Sequence, residues 1–120
     1  MTTPEIAKRL VALCRAGKYA EVYQELYAPH AKSIEPAGND FGLAAVVEGL
    51  ENFPAKGAAF NEHIQEFHSS YVDDPIVAGD YFVVKMGYDA TVKGAGRSQL
   101  DELAVYHVQD GKVVSEEFFY

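Results

Sequence analysis

The last twenty residues, Asp101 to Tyr120, read D-E-L-A-V-Y-H-V-Q-D-G-K-V-V-S-E-E-F-F-Y, and they leave this chain few ways to fold. Two runs rich in Val, Tyr and Phe flank Asp110-Gly111. A glycine that accepts positive φ between two such runs is the strongest short-range signal for a β-hairpin. Side chains alternate along a strand, so the pairing register decides which acids share a face with which apolar groups.

Two registers are open. In a two-residue turn, Gln109 faces Lys112, which puts Glu102 on the face of Phe119 and Glu117 and leaves Glu116 on the other side. In a three-residue loop with a glycine bulge, Val108 faces Lys112, Tyr106 faces Val114, Ala104 faces Glu116 and Glu102 faces Phe118. The second is preferred because Tyr81 to Lys93 supports it. That run is apolar at Phe82, Val84, Met86, Tyr88, Ala90 and Val92 and more polar at Lys85, Asp89, Thr91 and Lys93. Turning through Gly94-Ala95-Gly96, it pairs even with even, Tyr88 opposite Glu102 and Met86 opposite Ala104. One face of three strands is then apolar except for Glu102, Glu116, Tyr88, Tyr106 and Tyr120. On it Glu102 and Glu116 are diagonal neighbours, and two buried carboxylates so placed raise the pKa of at least one of them.

Composition narrows the partners. A chain of 120 residues suits one domain with a core of its own. A formal net charge of -8 argues against nucleic acid and against an anionic membrane surface, both of which call for a basic patch. The lone Cys14 fits a reducing cytoplasm. No apolar run reaches bilayer-spanning length, and M-T-T-P-E-I-A-K-R-L is no signal peptide.

From the start of the chain, Thr3 can cap a helix, with Pro4 at its first position and Glu5 complementing its dipole. Its buried stripe is Ile6, Leu10, Leu13 and Cys14, and Gly17 ends it. A second helix from Lys18 to Tyr27 carries Tyr19, Val22, Tyr23, Leu26 and Tyr27 on one side, and Pro29 stops it. A strand from Ala31 to Glu35 follows. Asn39 or Asp40 caps a third helix with the stripe Leu43, Val46, Val47 and Leu50, broken at Pro54. Glu62 to Val72 is strand-like without clear parity, and a short Ile76-Val77 segment follows it. Helices ahead of a meander make an α+β protein in which a curved antiparallel sheet wraps helices on its concave side. The odd-numbered face of the hairpin (Leu103, Val105, Val113, Phe119) is too apolar to stay bare, so a homodimer through the sheet is expected.

The opening helical pair, L-Y-A-P-H-A-K-S-I-E-P (26 to 36), G-L-A-A-V-V-E-G-L (42 to 50), E-F-H-S-S (66 to 70), V-A-G-D-Y-F (77 to 82) and the final twenty residues together resemble the NTF2-like superfamily, specifically its small SnoaL-like domain proteins. The resemblance covers nearly the whole chain. It implies a cone-shaped α+β barrel with a blind pocket between helices and sheet, usually a homodimer. It also implies polar pocket positions at Glu35, His68, Glu102 and Glu116, with Tyr106 near them. Isomerases of this superfamily use an Asp base; here Asp89 and Asp101 lie on the odd face, so glutamates take that role.

The expected chemistry is a cofactor-free proton shuttle on a small apolar carbonyl compound. Glu102 or Glu116 acts as acid or base, His68 as its partner, and Tyr88 or Tyr106 as donor to an enolate-like oxygen. Tyr23, Tyr27, Met86 and Phe118 complete the expected lining. The competing class is a non-catalytic module that uses the same pocket to hold an apolar ligand, or the sheet only to dimerise. Histidine spacing gives no metal site: His63 and His68 point to opposite faces of a regular strand, and His30 and His107 lie elsewhere.

Overall fold

A computed structural model describes all of residues 1 to 120. Helix α1 runs Thr3–Arg15. Its cap is Thr2 rather than Thr3: the Glu5 amide donates to Thr2 Oγ1 at 3.3 Å while the Thr2 amide donates to Glu5 Oε1 at 2.9 Å. This reciprocal box satisfies two otherwise unpartnered amides of the first turn. Thr3 is thereby drawn into the helix and buried. Gly17 closes α1 at φ +72°, a conformation that only glycine adopts cheaply.

Helix α2, Tyr19–Leu26, leads directly into strand β1, Tyr27–Ile34. The strand begins four residues earlier than the expected Ala31. Residues 35 to 45 form no helix; Asn39 pins them instead, accepting from the Phe41 and Leu43 amides and donating to the Pro36 and Leu43 carbonyls. Strand β2 is Val46–Glu48, and the third helix, α3, is Phe53–Glu62. The expected helix over 40 to 50 is therefore displaced by a full element. Pro54 sits in the first turn of α3, where its missing N–H costs nothing, so it opens the helix that it was expected to break.

The remaining strands are β3, Ile64–Val72; β4, Ile76–Ala78; β5, Tyr81–Val92; β6, Gly96–Gln109; and β7, Lys112–Phe119. They form one unclosed, curved sheet in the order β2-β1-β7-β6-β5-β3, with β4 also on β5. The α+β architecture is the one expected, with a difference: β1 pairs parallel to β7, so the sheet is mixed rather than antiparallel. That pairing sets Ser33 beside Glu116 and carries Glu35 inward past Ile34. Two bulges in β3, between Ile64 and Glu66 and between Phe67 and Ser69, explain why its parity was unreadable.

The hairpin combines both anticipated registers. Its turn is the two-residue type, with Asp110 at φ +52° and Gly111 at φ +74°, so that Gln109 faces Lys112 and Val108 faces Val113. A bulge at Val113-Val114 then shifts the strand by one, placing His107 opposite Ser115 and Tyr106 opposite Glu116. Beyond the bulge the even-with-even parity of the preferred register is recovered, but each pair there lies two residues away from it. Strand β5 is displaced likewise, with Met86 rather than Tyr88 opposite Glu102. Glu102 and Glu116 are consequently not diagonal neighbours. Val113, assigned to the outer face, is fully buried.

The concave side holds the core. Ile6, Leu10, Val11, Leu13 and Cys14 of α1 pack with Val22 and Leu26 of α2 on Phe82, Val84, Ala104, Tyr106, Val108 and Val113. Phe82 and Tyr106 stack at 4.6 Å. Each large aliphatic side chain removed from water here contributes about 2 kcal/mol before conformational entropy is subtracted. On the convex side the directly paired Leu103 and Phe119 remain 46% and 49% exposed. No helix is long and apolar enough to cross a membrane.

Candidate functional site

Beyond the reach of α1 the same concave face turns polar. Strand alternation directs Glu116 of β7 and Glu102 of β6 inward, and the parallel neighbour β1 adds Ser33 and then Glu35. Helix α3 crosses above, its Phe53, Lys56 and Phe60 three and four residues apart on one side.

Glu116 is 4% exposed and both its oxygens are occupied: the Tyr27 hydroxyl donates to one and the Ser33 hydroxyl donates to the other at 2.7 Å. Lys56 Nζ donates to the same Ser33 oxygen and forms an ion pair with Glu35 Oε1 at 2.7 Å. The second oxygen of Glu35 accepts from the Tyr120 hydroxyl at 2.8 Å. Lys56 also stands 4.9 Å above the centre of the Phe118 ring. One cation and three hydroxyls thus serve two buried carboxylates, the arrangement a low-dielectric interior requires. Burial raises the pKa of Glu116, opposed by its bonds to Tyr27 and Ser33 and by the Lys56 charge. Burial and the facing Glu116 charge hold the Tyr27 phenol well above its ordinary range, keeping it a donor.

Glu102 differs: its carboxyl takes part in no hydrogen bond or ion pair with the protein. It faces open space. Burial pushes its pKa up to about 8, the charges of Glu35 and Glu116 add to this, and Lys56 opposes it. That places Glu35, ahead of Glu116, as the acid that most perturbs it, a consequence of the two-residue shift in register.

The space has two lobes. A smaller one of about 310 Å³ lies under the loop carrying Phe41 and Leu43, walled by Phe53, Phe60, Phe118 and Tyr120. A larger one of about 720 Å³ opens between the α1–α2 corner and β3, bounded by Tyr19, Met86 and Tyr106 among others. Tyr23, Gly57, Phe60, Tyr88, Glu102, Glu116 and Phe118 border both. Volumes of this order suit small organic ligands.

Of the residues expected at a site, the structure brings together Glu35, Glu102, Glu116, Tyr23, Tyr27, Met86, Tyr88, Tyr106 and Phe118 around these lobes. His68 reaches only the rim of the larger one. It occupies the second β3 bulge, where its Nε2 lies 2.7 Å from Thr91 Oγ1 and its Nδ1 3.9 Å from Glu66, away from both inner glutamates. Cys14 borders the larger lobe as a buried thiol whose pKa is pushed up to about 12 by that burial, far from thiolate chemistry at neutral pH.

Lys56, Ser33 and the aromatic walls Phe41, Phe53 and Phe60 escaped the sequence reading. Lys56 was hidden by the misplaced third helix. The signal was present in N-F-P-A-K-G-A-A-F, with proline in a first helical turn and Phe53, Lys56 and Phe60 at helical spacing. Ser33 had no such signal, because its place depends on the parallel pairing of β1 with β7.

Several solved structures share this chain's fold. A Mesorhizobium loti protein described as a candidate SnoaL-like polyketide cyclase is 34% identical, with a TM-score of 0.88 over 100% of both chains. An NTF2-like protein of unknown function from Burkholderia pseudomallei is 20% identical, with a TM-score of 0.81 over 100% of this chain and 92% of that one. One from Burkholderia thailandensis is 21% identical, with a TM-score of 0.82 over 99% and 90%. Among curated proteins, the glucose-specific EIIA component of a PTS system from Halalkalibacterium halodurans is 32% identical over 89 residues, 74% of this chain, which spans 50% of that protein's length. The SnoaL-like domain family matches residues 1–120 throughout. On that match and on the architecture described above, the chain belongs to the SnoaL-like domain family, whose solved relatives share the NTF2-like fold.

Proposed function

We propose that this protein binds a small apolar carbonyl compound in the two-lobed cavity and moves a proton on it without a cofactor, with Glu102 as the acid and base. The observation that carries this reading is the unpartnered Glu102 carboxyl in an aromatic hollow, its pKa pushed up to about 8 by burial. At pH 7 most of it is protonated and able to donate to a carbonyl oxygen. The ionised fraction accepts a proton from an adjacent carbon. An acid with a pKa near ambient pH serves both directions, and such transfers contribute on the order of 10² to 10⁴ in rate. Tyr88, which borders both lobes, is the group we assign as hydrogen-bond donor to the developing enolate. Glu116, with both oxygens engaged, acts on Glu102 through its charge rather than on the ligand. His68 has no part in the shuttle. Isomerisation, dehydration and aldol-type cyclisation all need this machinery.

The test measures the chemistry without knowing the natural substrate. In D₂O the protein should accelerate exchange of the α-protons of cyclohexanone, followed by NMR, and Glu102→Gln should abolish the acceleration while leaving the fold intact. Direct ¹³C titration should find a carboxyl near pH 8 that disappears in the variant. A Glu102 that titrates near 4.5 would sink the proposal. We also propose that Leu103, Phe119 and their convex neighbours form a two-fold interface between copies in the cytoplasm. Sedimentation at micromolar concentration should then give a dimer, and a 13.2 kDa species would remove it.

A further inference from the structure

Gly57 is out of place. It lies inside α3, where glycine is less stable than alanine, and its backbone does not need glycine's freedom. Nor does packing demand it: a Cβ added there meets nothing within 4 Å. Yet Gly57 is among the residues that border both lobes, next to Phe60, between the Phe53–Lys56 side of the helix that faces the smaller lobe and Asn61, which faces the larger. A missing side chain at the junction of two cavities leaves a passage between them. Glu102 stands at the same junction.

From this position follows the kind of ligand. A carbonyl held at Glu102 has one cavity on each side of it, so its two substituents diverge. The smaller lobe, walled by Phe41, Phe53, Phe60 and Phe118, matches a ring. The larger lobe, more than twice the volume, matches a longer apolar group. We propose that the ligand carries an internal carbonyl with an apolar group on each side, a ketone rather than a terminal aldehyde or acid, and that Gly57 keeps the passage open for it. The proposal rests on the reading of Glu102 as the group that meets the carbonyl. A free carboxylate on the ligand is disfavoured as well, since Lys56, which lines the smaller lobe, is already paired with Glu35, and Arg15, which borders the larger, with Asp74.

Alkyl phenyl ketones of increasing chain length, from acetophenone to octanophenone, test it by calorimetric titration. Affinity should rise about fourfold for each methylene over at least four methylenes, as the chain enters the larger lobe. Gly57→Leu should leave acetophenone binding within about twofold and flatten that rise. Gly57→Ala, as folding control, should raise the melting temperature by about 3 °C and still bind acetophenone. A wild-type affinity that stops rising after acetophenone, or an unchanged slope in Gly57→Leu, overturns the passage. The Glu102 ¹³C signal, read in the same titrations, separates this from the parent reading. If it shifts while the slope is flat, only the passage fails; if no ketone shifts it, both fail.

Discussion

One concave sheet face carries two different environments. At the end covered by α1 it is dry, with Phe82, Val84, Ala104, Val108 and Val113 closed over by Ile6, Leu10 and Leu13. At the end spanned by α3 it holds three glutamates, a lysine and a serine among aromatic rings. Strand alternation sends both sets inward, so alternation alone does not distinguish them. What differs is the covering element. α1 presents a continuous apolar stripe that closes on the sheet as far as its last turn, whereas α3 offers Lys56 for the acids and Gly57 for nothing, and so leaves a hollow. An inward acid is tolerated where a partner crosses above it, and Glu102 is the one acid that no partner reaches.

The largest test of this contrast removes the crossing cation. Lys56→Met should cost about 4 kcal/mol at pH 7, because breaking a buried ion pair leaves Glu35 and the Glu116 network with an uncompensated charge. The loss is read by urea denaturation. Leu10→Ala, in the dry half, should cost about 3 kcal/mol from lost burial and the cavity left behind. Its cost should be the same at pH 5 and pH 8; a strong pH dependence would mean that the two halves are not electrostatically separate.

The smallest effect is the most particular. Glu102 has its folded pKa raised from 4.5 to about 8, so the folded state binds the extra proton between those values. Stability from this group is therefore complete below about pH 4.5 and is lost as pH rises through about 8. Glu102→Gln carries no such charge. It should match the wild type near pH 5 and exceed it at pH 8.5 by about 2 kcal/mol, a value reduced to allow for solvent in the cavity. Thermal melts of both proteins across that range decide it, and parallel curves would place Glu102 in contact with water.

Much of this was legible before any coordinates. The α1 stripe, the even-numbered side of β5 and the inward direction of Glu102 and Glu116 all follow from periodicity, and periodicity is local. What failed was non-local or ambiguous at short range. Pro54 reads equally as the end of one helix and the start of another, and only the missing helix over 40 to 50 resolves it. The parallel contact of β1 with β7 joins residues more than eighty positions apart, which no window along the chain can see. His68 was assigned by resemblance, and a bulge in β3 turned it away. The hairpin register was right in parity and wrong by two because the turn and the bulge were weighed as alternatives when the strand uses both.

That surplus residue at Val113-Val114 has a consequence for how such a chain diversifies. Upstream of it the strand runs in phase with its turn; downstream everything is inverted. Pairing that residue in line, with no bulge, would export Glu116 and Phe118 to the outside and import Ser115, Glu117 and Phe119, exchanging lining for exterior without altering any side chain, whereas losing it would leave them inward. The chemistry of the hollow is in that sense an addressing problem, solved by counting residues rather than by choosing them.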